Sequence, residues 1–131
     1  MTGDRGDERS KADDPLTRAI IEAIITVHQV LGPGFIESVY QKAFIIELTK
    51  SALSVATEAE VEVRYDGQLV GRHRIDLIVE GRVLVELKAV DELVKAHYAQ
   101  VRSYRRATGL PVGLLVNFSK EKADYRRVEL G

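Results

Sequence analysis

The stretch Arg74-Ile75-Asp76-Leu77-Ile78-Val79-Glu80-Gly81-Arg82-Val83-Leu84-Val85-Glu86-Leu87-Lys88 decides the fold of this 131-residue chain. It reads as two strands around a glycine turn. Side chains alternate faces along a strand, so a slip of one residue would move every group to the wrong side. With Glu80, Gly81 and Arg82 as a three-residue loop and the glycine left-handed, Val79 pairs with Val83, Leu77 with Val85 and Ile75 with Leu87. All of these are apolar. The opposite face then pairs Ile78 with Leu84, Asp76 with Glu86 and Arg74 with Lys88. Like charges directly opposite each other destabilise a sheet, whereas a divalent cation between two carboxylates turns repulsion into coordination by hard oxygen ligands.

Working outward, Val61, Val63 and Tyr65 alternate into Asp66-Gly67, a hairpin signal, and a strand is expected from about Gln68 to Val79, with the next from Val83 to Lys88. Upstream, Leu16, Ala19, Ile20, Ala23, Ile24, Val27 and Leu31 recur at helical spacing from Pro15, and Gly32-Pro33-Gly34 stops that helix. A second helix carries Ile36, Val39, Tyr40, Ala43, Phe44 and Leu48 and runs to about Lys50. Beyond Asp91 a helix is expected to about Thr108 with Gly109 as its stop, then a buried strand from Pro111 to Asn117 and a last strand around Tyr125 to Glu129. The order is ααβββαβ with that final strand added. This is an α/β (α+β) chain with a central mixed sheet flanked by helices. Residues 1–14 offer almost nothing to bury and are expected to form a disordered tail before one domain over residues 15–131.

The composition narrows the chemistry. Hydrophobic residues make up 45% and charged residues 30%, a globular mixture. Apolar runs break well before the roughly 18 residues needed to cross a bilayer, and no signal segment opens the chain, so a soluble cytoplasmic protein is expected. With no cysteine, disulfide scaffolds and thiolate zinc sites are excluded, and oxygen ligands favour magnesium or manganese. A net charge of -1 gives no bulk attraction to phosphate, so nucleic acid would need a local basic surface.

Lys88 lies two residues beyond Glu86 and shares its face, where an ammonium can hold an attacking water or stabilise charge on a phosphate. Alone, Glu86-Leu87-Lys88 reads as a solvated strand face with a weak ion pair. Asp76 at the matching cross-strand place, within hydrophobic strands, argues for a site.

Asp76 followed by Glu86-Leu87-Lys88 resembles the core motif of the PD-(D/E)XK nucleases, with Ile75 where the proline of the name stands. Gly34-Phe35-Ile36-Glu37-Ser38-Val39-Tyr40 is similar to the signature of the GxxExxY family, a small bacterial and archaeal branch of that superfamily. The resemblance extends to His28 and to Gly113-Leu114-Leu115-Val116-Asn117-Phe118, and covers nearly everything from Leu16 to Val128. It implies a restriction-endonuclease-like core, with Glu37, Asp76, Glu86 and the Leu87 carbonyl around Mg2+ (or Mn2+), and Lys88 assisting the nucleophilic water. Gln100 and Tyr104, on one helical face, are similar to the QxxxY motif of exonuclease-type branches, which lies beside the site. The implied activity is hydrolysis of nucleic-acid phosphodiester bonds. The alternative is a non-catalytic module binding nucleic acid or a protein on the same scaffold.

Other residues have simpler readings. Glu37 in a first helical turn complements the macrodipole. Tyr40 and Phe44 fit packing, and His28 fits a hydrogen-bonded core position. Lys95, Arg102, Arg105 and Arg106 near the third helix, with Arg72 and Arg74 on the strand before Asp76, offer a phosphate-binding rim, or only a solvated surface. So small a domain has limited surface for a duplex, and a homodimer would extend it.

Overall fold

The computed structural model describes residues 14–129. The expected tail therefore lies outside the described residues except for Asp14, which caps helix α1 (Pro15–Leu31): its carboxylate accepts the Thr17 N–H at 3.2 Å, and Pro15 supplies a preset first helical position. Leu16, Ile20, Ala23, Ile24 and Val27 form the buried stripe of α1. Helix α2 (Glu37–Lys50) buries Tyr40, Phe44 and Leu48, one per turn.

Five strands follow, β1 (Val55–Tyr65), β2 (Gln68–Val79), β3 (Val83–Lys88), β4 (Val112–Asn117) and β5 (Asp124–Val128), in the sheet order β1-β2-β3-β4-β5. All neighbours are antiparallel except β3 and β4, which are parallel and joined through helix α3 (Lys95–Thr108). The expected mixed sheet and element order are present. Asp66 and Gly67, both at positive φ (53° and 75°), close the β1–β2 hairpin. β1 starts six residues before Val61, where alternation begins in the sequence, because Ser54 is clamped to the next turn: its N–H donates to the Glu80 carboxylate (2.6 Å) and its carbonyl accepts from the Glu80 N–H (2.9 Å). α3 starts at Lys95, later than expected, because the Asn117 side chain holds Val90 extended, accepting its N–H at 3.1 Å and donating to its carbonyl at 2.8 Å.

The sheet has two cores. α1 and α2 cover one face, packing on Leu77, Val79, Val83, Val85, Leu87, Leu114 and Val116. The other face carries Ile75, Leu84, Leu115 and Val128 against Val101 and Tyr104 of α3. Gly113 lets α3 settle on β4, since a Cβ there would lie 2.6 Å from a Val101 methyl. Among the described residues no helix is long and apolar enough to cross a membrane.

Around the Glu80–Arg82 turn the register is the expected one: Val79 faces Val83, Ile78 faces Leu84 and Leu77 faces Val85. Glu80 joins Gly81 at positive φ (55° and 63°). The ladder ends there. Ile75–Leu87, Asp76–Glu86 and Arg74–Lys88 do not form backbone pairs. Ile75 also leaves the face of Leu77 and packs in the α3 core. The strands part at Asp76, opposite Glu58 of β1, which takes φ 50° and drops out of the β1–β2 pairs while Thr57–Leu77 and Ala59–Ile75 keep one register on either side.

Candidate active site

Where β2 and β3 part, two backbone N–H groups lose their strand partners and need acceptors. The side chains supply them crosswise. The Asp76 N–H donates to Glu86 Oε2 at 2.9 Å, and the Leu87 N–H donates to Asp76 Oδ2 at 2.8 Å. Glu86 is only 4% exposed, and Asp76 is half-buried.

Burial penalises the charged form of both groups. It pushes the Glu86 carboxyl up to about 7, with the neighbouring Asp76 charge adding to the rise and the Asp76 N–H and Lys88 opposing it. Burial likewise raises Asp76, against the pull of the Leu87 N–H and Lys88. The pair thus carries an electrostatic penalty that a bound cation would relieve.

Lys88 shares the α3 side of the sheet and donates to Gln100 Oε1 at 3.2 Å. One turn further along α3, the Tyr104 hydroxyl has its pKa raised by burial and then by the Glu86 charge, with the neighbouring Gln100 side chain opposing the rise. One helical turn of α3 thus holds the lysine and reaches the carboxylates.

Helix α2 approaches from the other side. Gln41 Nε2 donates to the Asp76 carbonyl at 3.3 Å. Glu37, one turn earlier, is exposed, and its charge is felt at Glu86. The loop that aims α2 is tied by Tyr40, whose hydroxyl donates to the Gly32 carbonyl (2.6 Å) and accepts the Phe35 N–H (3.2 Å). The Tyr40 ring stacks on Phe118 at 4.4 Å. With Gly32 and Gly34 at positive φ (67° and 115°), the spacing of Gly34, Glu37 and Tyr40 is that of a turn that starts a helix and latches onto its first buried ring. His28 bonds the Lys120 carbonyl at 2.7 Å, the core role its sequence position suggested.

A model of the PD-(D/E)XK nuclease superfamily matches residues 14–128. The chain belongs to this superfamily. Among solved structures, that of SSO0001 aligns with a TM-score of 0.59 at 17% identity, covering 71% of this chain and 50% of that one. The likeness is one of fold, and the chain spans about half the length of that neighbour. No curated protein sequence matches. PD-(D/E)XK nucleases generally use divalent metals.

The donor set here fits such an ion: two part-buried carboxylates at the parting strands offer hard oxygens, and magnesium is commonly held by one or two protein carboxylates with water filling the rest. As the side chains stand, no three His, Asp or Glu residues among those described converge on one point, Glu37 lying at the rim. Of the expected basic rim, Arg74 is exposed and paired with Glu58 at 3.4 Å, and Arg72 with Glu60 at 3.4 Å. Arg102 is half-buried on α3. Arg105 is not a rim residue: it is 6% exposed, with its stem against Gly113 and Nη2 donating to the Pro111 carbonyl.

Three site residues escaped the sequence. Gln41 was detectable as the position one helical turn after Glu37. Glu58, whose charge is felt at Asp76, gave no signal, since its place opposite Asp76 depends on backbone that few residues adopt. His73, whose ring lies 5.7 Å from that of Tyr104, gave none either.

Proposed function

We propose that this chain is a magnesium-dependent nuclease that hydrolyses phosphodiester bonds of nucleic acid in the cytoplasm, and that it belongs to the GxxExxY branch of its superfamily. The observation that carries this reading is the crossed pair of Asp76 and Glu86, with Lys88 on the same side of the sheet. Asp76, Glu86 and the Leu87 carbonyl would hold the cation, and a rotation of the Glu37 side chain would complete the set. When bound, magnesium (or manganese) lowers the pKa of a coordinated water and polarises the phosphate.

The chain's own groups do the rest. The Lys88 ammonium, steadied by Gln100, positions the attacking water and offsets negative charge growing on the phosphate. Tyr104, one turn from Gln100 on the same face of α3, walls the site on that side. Arg102, and Arg74 once it exchanges Glu58 for a phosphate, bind flanking phosphates through their guanidinium N–H groups.

The test is calorimetric titration of magnesium and manganese into wild type and Glu86→Gln, followed by cleavage assays on mixed DNA and RNA. Binding lost in the variant together with cleavage by the wild type supports the reading. Binding without cleavage by the wild type would leave the non-catalytic alternative. No binding, even with nucleic acid present, sinks both the metal site and the nuclease.

A further inference from the structure

Beside the carboxylates, a cavity of about 720 Å³ opens between α3 and the β1–β2 hairpin, lined by Glu62, Val63, Arg64 and His73 from the hairpin and by Gln100, Ser103, Tyr104, Arg106 and Ala107 from α3. Gln100 and Tyr104 are shared with the site, so whatever fills the cavity is a direct neighbour of the group held at Lys88 and Glu86. Its size is within the roughly 300–1,000 Å³ of sites that enclose a small molecule or one unit of a larger one.

The lining has a definite chemistry. The rings of His73 and Tyr104 stand 46° apart, forming a corner in which a flat ring stacks on one and meets the edge of the other. Val63 and Ala107 add apolar wall, and the Ser103 hydroxyl can both donate and accept at a ring's polar edge. The one carboxylate, Glu62, is held by Arg64 at 3.0 Å and lies 3.6 Å from Arg72, so it does not set the charge of the cavity. Arg106 makes no ion pair with a described residue and is left to meet an anion at the mouth.

We infer that this cavity takes one unpaired nucleobase, adjacent to the phosphate at Lys88 and Glu86, with its own phosphate on Arg106. A base inside a duplex shows only its edges in the grooves and must leave the stack to enter such a space. The substrate class is therefore single-stranded nucleic acid, or a frayed or flipped end, rather than continuous duplex. The proposal rests on the nuclease reading only for the placing of the neighbouring phosphate. Recognition of the base stands on the cavity alone.

The experiment measures binding of the full chain, in chelator so that no cleavage occurs, to DNA and RNA decamers carrying a central 2-aminopurine, each as single strand and as blunt duplex. Single strands are expected to bind at least ~10-fold more tightly than duplex and to show quenched 2-aminopurine fluorescence, since stacking on an aromatic side chain adds roughly 5- to 160-fold in affinity. Ser103→Trp, on an exposed helical position, fills the cavity and should abolish the quench, and His73→Ala should weaken it. Comparison of the DNA and RNA arms identifies which strand supplies the base. Equal affinity for duplex and single strand, no binding to either, or an unchanged quench in folded Ser103→Trp overturns the proposal. Cleavage is then assayed separately with magnesium. A quench without cleavage counts against the nuclease alone, and cleavage without a quench against the base pocket alone.

Discussion

Asp76 and Glu86 each serve the other's strand: Glu86 accepts the backbone N–H of Asp76, and Asp76 accepts the N–H that follows Glu86. The carboxylates therefore hold structure as well as candidate chemistry, and different substitutions separate the two roles. Asp76→Ala strands the N–H of Leu87, a residue 1% exposed, at a cost of about 1–3 kcal/mol. Asp76→Asn keeps an acceptor oxygen while removing the charge. Urea unfolding should show the alanine variant clearly destabilised and the asparagine variant close to wild type, while metal titration should find binding lost in both. Equal stability of the two variants would disprove the crossed brace.

The raised Glu86 carboxyl sets a pH dependence. Its usual value is 4.5 and its folded value about 7, so the folded state holds the proton more tightly. Stability from this group is complete below about 4.5 and is lost as pH rises through about 7. In chelator, the urea midpoint of wild type should fall across that window, and Glu86→Gln should flatten the fall. Saturating magnesium should reverse the trend, because binding requires the ionised carboxylate. A flat wild-type profile in chelator would remove burial as the cause.

Gln100 accepts from the Lys88 ammonium, which makes it a positioning group for the lysine. Lys88→Met should abolish cleavage without loss of fold. Gln100→Ala frees one hydrogen bond to a charged group, and steady-state kinetics should show kcat lowered about 10- to 100-fold, with KM changed less. A change confined to KM would place Gln100 in substrate binding.

The fold was legible where burial and turn chemistry agree. Leu77, Val79, Val83 and Val85 could face one core only in one register, and the turn at Gly81 allowed it. The parting of the strands was not legible, because apolar alternation continues unbroken through Ile75 and Leu87 while the backbone at Asp76 does not. Ile75 changes core there, and Glu58, across from Asp76, takes a left-handed conformation that has no sequence signal. The carboxylate pair and Lys88 could be read from spacing along two adjacent strands. The cavity at His73 could not, since it exists only after α3 folds back over the hairpin, bringing together positions about thirty residues apart.

That return of α3 depends on Gly113. An alanine there would bring its Cβ within 2.6 Å of Val101 Cγ1 and 3.1 Å of Arg105 Cδ. Neither neighbour yields easily: Val101 is fully buried, and the Arg105 stem is pinned by its bond to the Pro111 carbonyl. The helix must lift instead, so Gly113→Ala should cost about 1–3 kcal/mol in urea unfolding, as overpacking does. The lift carries Gln100 with it, adjacent to Val101, so cleavage measured well below the unfolding midpoint should fall although the chain remains folded. Val101→Ala removes the clashing methyl. The double variant should therefore recover part of both losses, with a coupling of about 1 kcal/mol or more in the cycle. Additive losses would mean that α3 is not seated through this contact.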